Sequence, residues 1–465
     1  MTKVHFIGVC GTAMATVAIL LKQRGLEVRG SDEHTYAPMS DVLARHGIKP
    51  LEGYSAEHIA PDVDLVVVGN AVSRGNPEVE WVLEKRIRYC SLPEIVRDQF
   101  LWERLPVVVA GTHGKTTTAF MTAWALSESG RDPSFLIGGV SKNFLTSGQL
   151  GNGKAFVIEG DEYDSAFFDK TAKFLKYLPH IVVVNNIEFD HADIYSDLKE
   201  LRLAFTRLVN LIPRDGQLLL CADNAEAAGL AVSAKCAVET FGLAASADWR
   251  ADKICHQSAS TTFDVVHGGQ LVGSVNLPLL GVFNIRNALG SIAAAVRVGA
   301  SESDVLNALE GFCGVRRRLE LRGVARGVAV YDDFAHHPTA VRETLEGLRA
   351  AAFARRIWAV FEPRSATACR KVFQSEFVDA LQLADEVIVA DVYRTALPDV
   401  ESLSEGELVS RLSQRGVSAR HVSGVDSIIS LLSSEARDGD LVVIMSNGDF
   451  EGIHGRVLSR LAASV

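Results

Sequence analysis

Val107-Val108-Val109-Ala110-Gly111-Thr112-His113-Gly114-Lys115-Thr116-Thr117-Thr118 decides the reading of this chain. An apolar run with strand character enters a turn bracketed by Gly111 and Gly114, then passes through Lys115-Thr116-Thr117 into a segment fit for a helix as far as Ser129. This is a phosphate loop. Glycines let backbone N–H groups turn inward to oxygens, a lysine neutralises β- and γ-phosphate charge, and the following threonine hydroxyl can ligate Mg²⁺. Only Thr112 and His113 separate the glycines, which is tighter than GxxxxGK[ST]. The loop implies ATP or GTP and leaves open what the phosphate energy drives.

Strand and helix patterns alternate on both sides. Residues 3–9, 27–30 and 64–69 read as parallel strands, with helices over 14–24 and after Asn76-Pro77. Ala155–Ile158 and Ile181–Val184 fit buried central strands, and both run into acidic or amide residues, where such strands present ligand groups. Residues 236–280 alternate and are rich in glycine, as in a small antiparallel sheet, and an alanine-rich helix follows over Asn287–Val298. Val328–Tyr331, Ile357–Phe361, Glu386–Ala390 and Leu441–Met445 make a third set of strands. The expected organisation is α/β in three domains, as a chain of 465 residues allows: 1–105, 106–322 and 323–465.

A net charge of −10 argues against a nucleic-acid footprint. No run reaches the ~18 apolar residues that span a membrane. The seven cysteines form no CxxC pair, which suits free thiols in a reducing cytoplasm, and no signal peptide is read at the N-terminus.

In the first turn, Gly8-Val9-Cys10-Gly11-Thr12-Ala13, Cys10 and Ala13 stand at the second and third glycine positions of GxGxxG. A side chain there hinders a dinucleotide pyrophosphate, so another diphosphate ligand fits better than NAD. Asp32 is either a ribose-binding acid or a turn residue. Four carboxylates lie within residues 159–164, and Glu159, at a strand end, is the foremost Mg²⁺ ligand, against a solvated acidic loop as the alternative. In 185–193, His191 beside carboxylates either ligates a second Mg²⁺, orients a phosphate or is structural. Asn284 is either a helix cap or a contact to adenine. Arg316-Arg317-Arg318 is ordinarily a solvated surface, and no Cys/His spacing completes a zinc tetrahedron around His336-His337.

Taken in order, GTHGKTTT (111–118), EGDEYD (159–164), NNIEFDH (185–191), GVFNIRNALG (281–290), RRRLE (316–320) and DDFAHHPT (332–339) resemble the Mur ligase family over essentially the whole chain. The resemblance implies a Rossmann-like UDP-sugar-binding domain, a central ATP-binding P-loop domain with a parallel sheet plus a small antiparallel sheet, and a Rossmann-like C-terminal domain that binds the amine substrate. It implies ATP as co-substrate and Mg²⁺ as cofactor. It casts Lys115, Glu159 and His191 as catalytic, and Thr116, Glu159 and His191 as metal ligands. Gly111, Thr112, His113, Gly114, Lys115, Thr116, Thr117, Asn284, Arg318, Asp333 and His337 would hold ATP. Gly11, Thr12, Ser31, Asp32, Asn70 and Arg74 would hold the UDP-sugar.

Residues 70–78, 162–170, 362–365 and 445–454 are most similar to the branch that joins UDP-N-acetylmuramate to L-alanyl-γ-D-glutamyl-meso-diaminopimelate in murein recycling. Addition of L-alanine alone is the alternative. Arg364 and Ser365 would meet the peptide, since a guanidinium suits a peptide carboxylate; a strand-end salt bridge is the other reading of Arg364. Gly160, Ala366 and Asp449 depart from that branch's usual Ala, Asn and Gly. The implied partners exclude nucleic acid and membrane insertion, and no pattern favours one oligomeric state. A nucleotide-hydrolysing switch and an NAD oxidoreductase are the rivals from other classes; both leave most of the motif series unexplained.

Overall fold

The computed structural model describes residues 2–463 apart from 36, 38, 191, 193, 352–353 and 394–400. Among the described residues three large sheets follow one another along the chain, beside a two-stranded antiparallel ladder of Asp164–Ala166 and Asp169–Ala172. The first has five parallel strands, in spatial order Leu51–Glu52, Glu27–Asp32, Lys3–Ile7, Leu65–Val68 and Tyr89–Ser91. The chain turns at Gly8 into helix α1 (Thr12–Gln23), whose apolar face, including Val17, Ala18 and Leu21, is buried. Glu78 is completely buried beneath this sheet. It accepts hydrogen bonds from Ser31 Oγ (2.5 Å) and the Ser55 N–H (3.3 Å), and His58 Nδ1 (2.8 Å) and His5 Nε2 (3.2 Å) lie against its other lone pairs. Burial alone would raise its pKa, yet these partners hold it below the usual carboxylate value.

The second sheet has ten strands. Its parallel centre sets Leu105–Ala110 between Ile181–Val184 and Ala155–Gly160. These strands are buried on both faces, which explains their nearly unbroken apolar sequence. The alternating segment does form antiparallel strands, Trp249–His256, Thr261–His267 and Gln270–Leu277. They extend the same sheet, joined through only Phe241↔Trp249 and Gly242↔Arg250. Helices α2 (Lys115–Glu128) and α3 (Val282–Val298) cover one face. α3 starts five residues before Asn287. Its run Ala293-Ala294-Ala295 and Gly290 bring it close to the sheet; a Cβ at Gly290 would already press on Phe241 at 3.1 Å.

The third sheet orders Glu320–Ala325, Val328–Asp333, Asp440–Met445, Arg356–Phe361, Glu386–Val389 and Ser418–His421, antiparallel only at the first pair. Helix α4 (Pro338–Ala350) leaves the end of Val328–Asp333 with Pro338 at its first position, where a missing N–H costs nothing. Among the described residues no helix is long and apolar enough to cross a membrane.

Glu78→Ala would leave the donors of Ser31, His5 and His58 facing an apolar gap. The expected loss is about 3–5 kcal/mol of stability in the first sheet, read by denaturant unfolding against Glu78→Gln, which keeps part of the network.

Candidate active site

Leu105–Ala110 delivers the chain to Gly111 (φ +131°) and Gly114 (φ +79°), the residue that caps α2. Both conformations are strained for a residue with a Cβ, and at Gly114 a Cβ would run into the Asn287 side chain. The loop is fastened to the segment after Ile181–Val184. Asn186 Oδ1 accepts the His113 N–H (2.7 Å), Thr112 Oγ1 accepts the Glu188 N–H (2.9 Å) and donates to the Glu188 carbonyl (3.1 Å). Asn185, Thr118, Asn287 and Asn284 continue inward as a chain of buried amides and hydroxyls. Asn284 lies inside α3, its Nδ2 donating to the Leu280 carbonyl (2.8 Å); Gly281 takes the cap position.

Lys115 Nζ is buried against the Glu162 carboxylate (2.8 and 3.0 Å) and donates to the Gly111 carbonyl (2.7 Å). Burial works against its charge, but Glu162, Asp161 and Glu159 outweigh that and raise its pKa. Thr116 Oγ1 donates to Glu159 Oε1 (2.8 Å), and Glu159 Oε2 accepts the Gly138 N–H (2.7 Å). The hydroxyl and the carboxylate beside the loop are hard oxygen donors of the kind Mg²⁺ takes, and they fit the expected ion. Thr117 is buried one residue further into α2. His191 lies outside the described residues.

The three arginines have separate fates. Arg316 is exposed. Arg317 donates to the Ser446 carbonyl (2.7 Å) in the third sheet. Arg318 stacks over Phe334 (4.9 Å) and reaches Thr116 Oγ1 (3.4 Å) at the phosphate loop. Asp333, at the carboxyl end of its strand, accepts the Leu319 (2.6 Å) and Ala335 (2.7 Å) N–H groups. Burial pushes its carboxyl up to about 6 despite Arg318 nearby.

His337 caps α4, and its ring packs on that of His113, with centroids 4.6 Å apart. The Thr339 N–H can only donate, so Nδ1 of His337 (3.3 Å) carries the lone pair and Nε2–H donates to the Phe189 carbonyl (3.2 Å). Burial pushes this imidazole down to about 3 and keeps it neutral. Glu188 sits between the two rings, with Oε2 3.4 Å from His113 Nε2 and 3.7 Å from His337 Nδ1. Burial would raise its pKa, but the two histidines and the Thr339 hydroxyl bring it down to about 2.

In the first sheet, Gly11 caps α1 and Asp32 Oδ2 accepts the Cys10 N–H (2.8 Å), so this acid braces the turn. Thr12 and Asn70 are exposed, Ser31 is committed to Glu78, and exposed Arg74 pairs with Glu80 (2.9 and 3.0 Å). Arg364 stacks on Tyr393 (3.8 Å) with Glu362 at 3.7 Å, which keeps part of the salt-bridge reading. Ser365 Oγ accepts the Ala368 N–H (2.9 Å) within a local turn. Sequence reading did not single out Glu188, Glu162, Asn186 or Phe334. All four lie within quoted motifs, but their roles depend on partners far along the chain.

Residues 3–100 match the Mur ligase family catalytic domain, 109–295 the Mur ligase middle domain, and 317–448 the Mur ligase glutamate ligase domain. The chain is 43% identical over 462 residues to UDP-N-acetylmuramate–L-alanyl-γ-D-glutamyl-meso-2,6-diaminoheptandioate ligase of Escherichia coli K12, covering 99% of this chain and 98% of the relative. It is 34% identical to UDP-N-acetylmuramate–L-alanine ligase of Acetivibrio thermocellus, covering 96% and 93%. The crystal structure of a murein peptide ligase from Psychrobacter arcticus 273-4 superposes with a TM-score of 0.73 at 37% identity, covering 99% of both chains.

Because the native pKa of Asp333 lies above its ordinary 3.8, the native state holds the proton more tightly and stability falls as pH rises from there to about 6. A shift of that size corresponds to about 3 kcal/mol. Denaturant midpoints across this range should show the fall in the wild type and lack that part of it in Asp333→Asn.

Proposed function

The chain belongs to the Mur ligase family, and we infer that it is an ATP-dependent ligase joining the lactyl carboxylate of UDP-N-acetylmuramate to the α-amine of L-alanyl-γ-D-glutamyl-meso-diaminopimelate. The observation that carries the reading is the meeting of two sheets at one place: Lys115 and Thr116 arrive from the second, and Arg318 and Asp333 from the start of the third. Full-length identity of 43% to a tripeptide-adding relative against 34% to an L-alanine-adding one favours the peptide as the amine. Three domains divided near residues 105 and 322 would carry the UDP-sugar, ATP and the peptide respectively. The cytoplasm, where ATP and the nucleotide sugar are found, is the expected compartment.

The chemistry follows from charge. A carboxylate must approach a γ-phosphate, so two anions meet, and fixed positive charge in a dry site lowers that barrier most. Lys115 neutralises the β- and γ-oxygens, and Arg318, 3.4 Å from Thr116 Oγ1, adds its charge beside the same loop. Mg²⁺ held by Thr116, Glu159 and His191 would supply further charge neutralisation. The carboxylate oxygen bonds to the γ-phosphorus as the bond to ADP breaks. The amine nitrogen then attacks the acyl carbon, loses a proton, and phosphate departs. Asn284 and His337 line the nucleotide side, and Asp333 holds the strand end that carries Arg318's stacking partner. Gly11, Thr12, Asn70 and Arg74 mark the UDP-sugar end, with Ser31 and Asp32 bracing it from within, and Arg74 would exchange Glu80 for phosphate. Arg364 offers its guanidinium to a peptide carboxylate, with Ser365 shaping the turn behind it.

Incubation with UDP-N-acetylmuramate, ATP and Mg²⁺, plus either the tripeptide or L-alanine, tests this by phosphate release and mass spectrometry. UDP-muramyl-tripeptide from the first tube alone is expected; product only with L-alanine would make the chain the amino-acid-adding sibling. Lys115→Ala should abolish ligation and leave UDP-sugar binding largely intact. Because that change strands the buried Glu162 charge, at a cost of about 3–5 kcal/mol, Lys115→Ala with Glu162→Gln is measured beside it. Ligation by either variant would refute the role given to the loop lysine.

A further inference from the structure

We propose that His113, Glu188 and His337 form a binding site for a borderline divalent cation such as Zn²⁺ or Co²⁺, separate from the oxygen-lined site of Thr116 and Glu159. One nitrogen from each ring and one carboxylate oxygen lie within 4.8 Å of one another. Tetrahedral zinc with bonds of roughly 2.0–2.2 Å places its ligand atoms about 3.3–3.6 Å apart. The observed 3.4 Å (His113 Nε2 to Glu188 Oε2) and 3.7 Å (His337 Nδ1 to Glu188 Oε2) are close to that edge length.

The protonation pattern points the same way. Nδ1 of His337 is the unprotonated nitrogen, 3.7 Å from a carboxylate oxygen, and the 3.3 Å hydrogen bond it accepts from the Thr339 N–H is the one a bound cation would replace. The opposite nitrogen donates to the Phe189 carbonyl, the outer bond that fixes a metal-binding histidine's ring and tautomer. Glu188 is oriented likewise by the Thr339 hydroxyl at 2.6 Å. Nε2 of His113 is buried and has no hydrogen-bond partner; its distance to Glu188 is short enough for a hydrogen bond but its alignment is not. A divalent cation would satisfy His113 Nε2 together with the Glu188 carboxylate that lies against it. Glu188 supplies the negative charge that two imidazole ligands beside a helix N-terminus lack.

Two imidazoles and one carboxylate select against Mg²⁺, which takes oxygen ligands in a near-ideal octahedron, and favour Zn²⁺, Co²⁺ or Ni²⁺. The site also bridges parts of the fold. His113 belongs to the phosphate loop, Glu188 to the segment that fastens it, and His337 to the cap of α4 beyond the third sheet's second strand. A cation held there ties the phosphate loop to the C-terminal unit.

The test titrates Co²⁺ into the full-length, metal-stripped protein in excess Mg²⁺, without substrates, so its outcome is independent of the ligation assay. One equivalent should produce the visible absorption of Co²⁺ with nitrogen ligands at low coordination number, and Zn²⁺ should bleach it. Glu188→Gln and His337→Asn should each weaken binding by more than the ~10–100-fold that loss of an outer partner costs, with near-ultraviolet circular dichroism reporting folding. His113→Asn, which leaves α4 and its cap untouched, provides the same readout should either of those variants misfold. Glu159→Gln should leave the absorption unchanged. The proposal is overturned if no such absorption develops, or if Glu159→Gln removes it while the other three variants retain it.

Discussion

A charged ammonium has to wait inside the protein for a phosphate, and the buried pair of Lys115 with Glu162 is how this chain meets that constraint. At 2.8 and 3.0 Å the carboxylate stands where anionic oxygen is wanted, so the lysine keeps its charge against the pull of burial. Everything around the loop serves that placement. Gly111 and Gly114 permit the backbone path, Asn186 and Thr112 pin it, and the amide chain from Asn185 to Asn284 fills the space behind it with satisfied polar groups. Such networks specify one arrangement because a partly satisfied one is costly in low dielectric.

The second constraint is geometrical. Parallel strands deliver their ligand groups at their carboxyl ends, and two sheets here bring those ends together. Ala110, Gly160 and Val184 lie side by side in register, and the chain beyond each contributes Gly111, Asp161 and Asn185. Asp333, Met445 and Phe361 are likewise in register in the third sheet, followed by Phe334, Ser446 and Glu362. Arg317 and Arg318 lie where the chain passes from one sheet to the other. One guanidinium secures the C-terminal side and the other reaches the phosphate loop, so adjacent like charges are separated by partners on different sheets.

Fold and chemistry were legible in the chain to different depths. Ile181–Val184 was readable to the residue because a strand buried on both faces writes itself as an unbroken apolar run. The start of α3 was not, because Asn284 and Asn287 offer cap-type side chains from inside the helix, while Gly281, which has none, takes the cap position. The antiparallel strands were visible as alternation, yet that they extend the central sheet rests on two residue pairs that no local pattern encodes. At the site, Lys115, Thr116 and Glu159 stood out because a lysine after a glycine turn and an acid at a strand end have few other uses. Glu188 looked like one more acid in a polar loop until His337, Thr339 and His113 closed around it.

What the sequence by itself determined is therefore whatever local physics writes locally: the alternation of strand and helix, the phosphate loop, the handicapped first dinucleotide turn, and the ordered motifs that mark the family. Tertiary structure alone decided which charges meet. Asp32 became a brace for Cys10, Ser31 a donor to a buried glutamate, and three consecutive arginines were assigned to solvent, sheet and loop. Pairing energies fall off within a few ångströms and depend on burial, and neither distance nor burial between residues 113 and 337, or 116 and 318, is written in the chain before it folds.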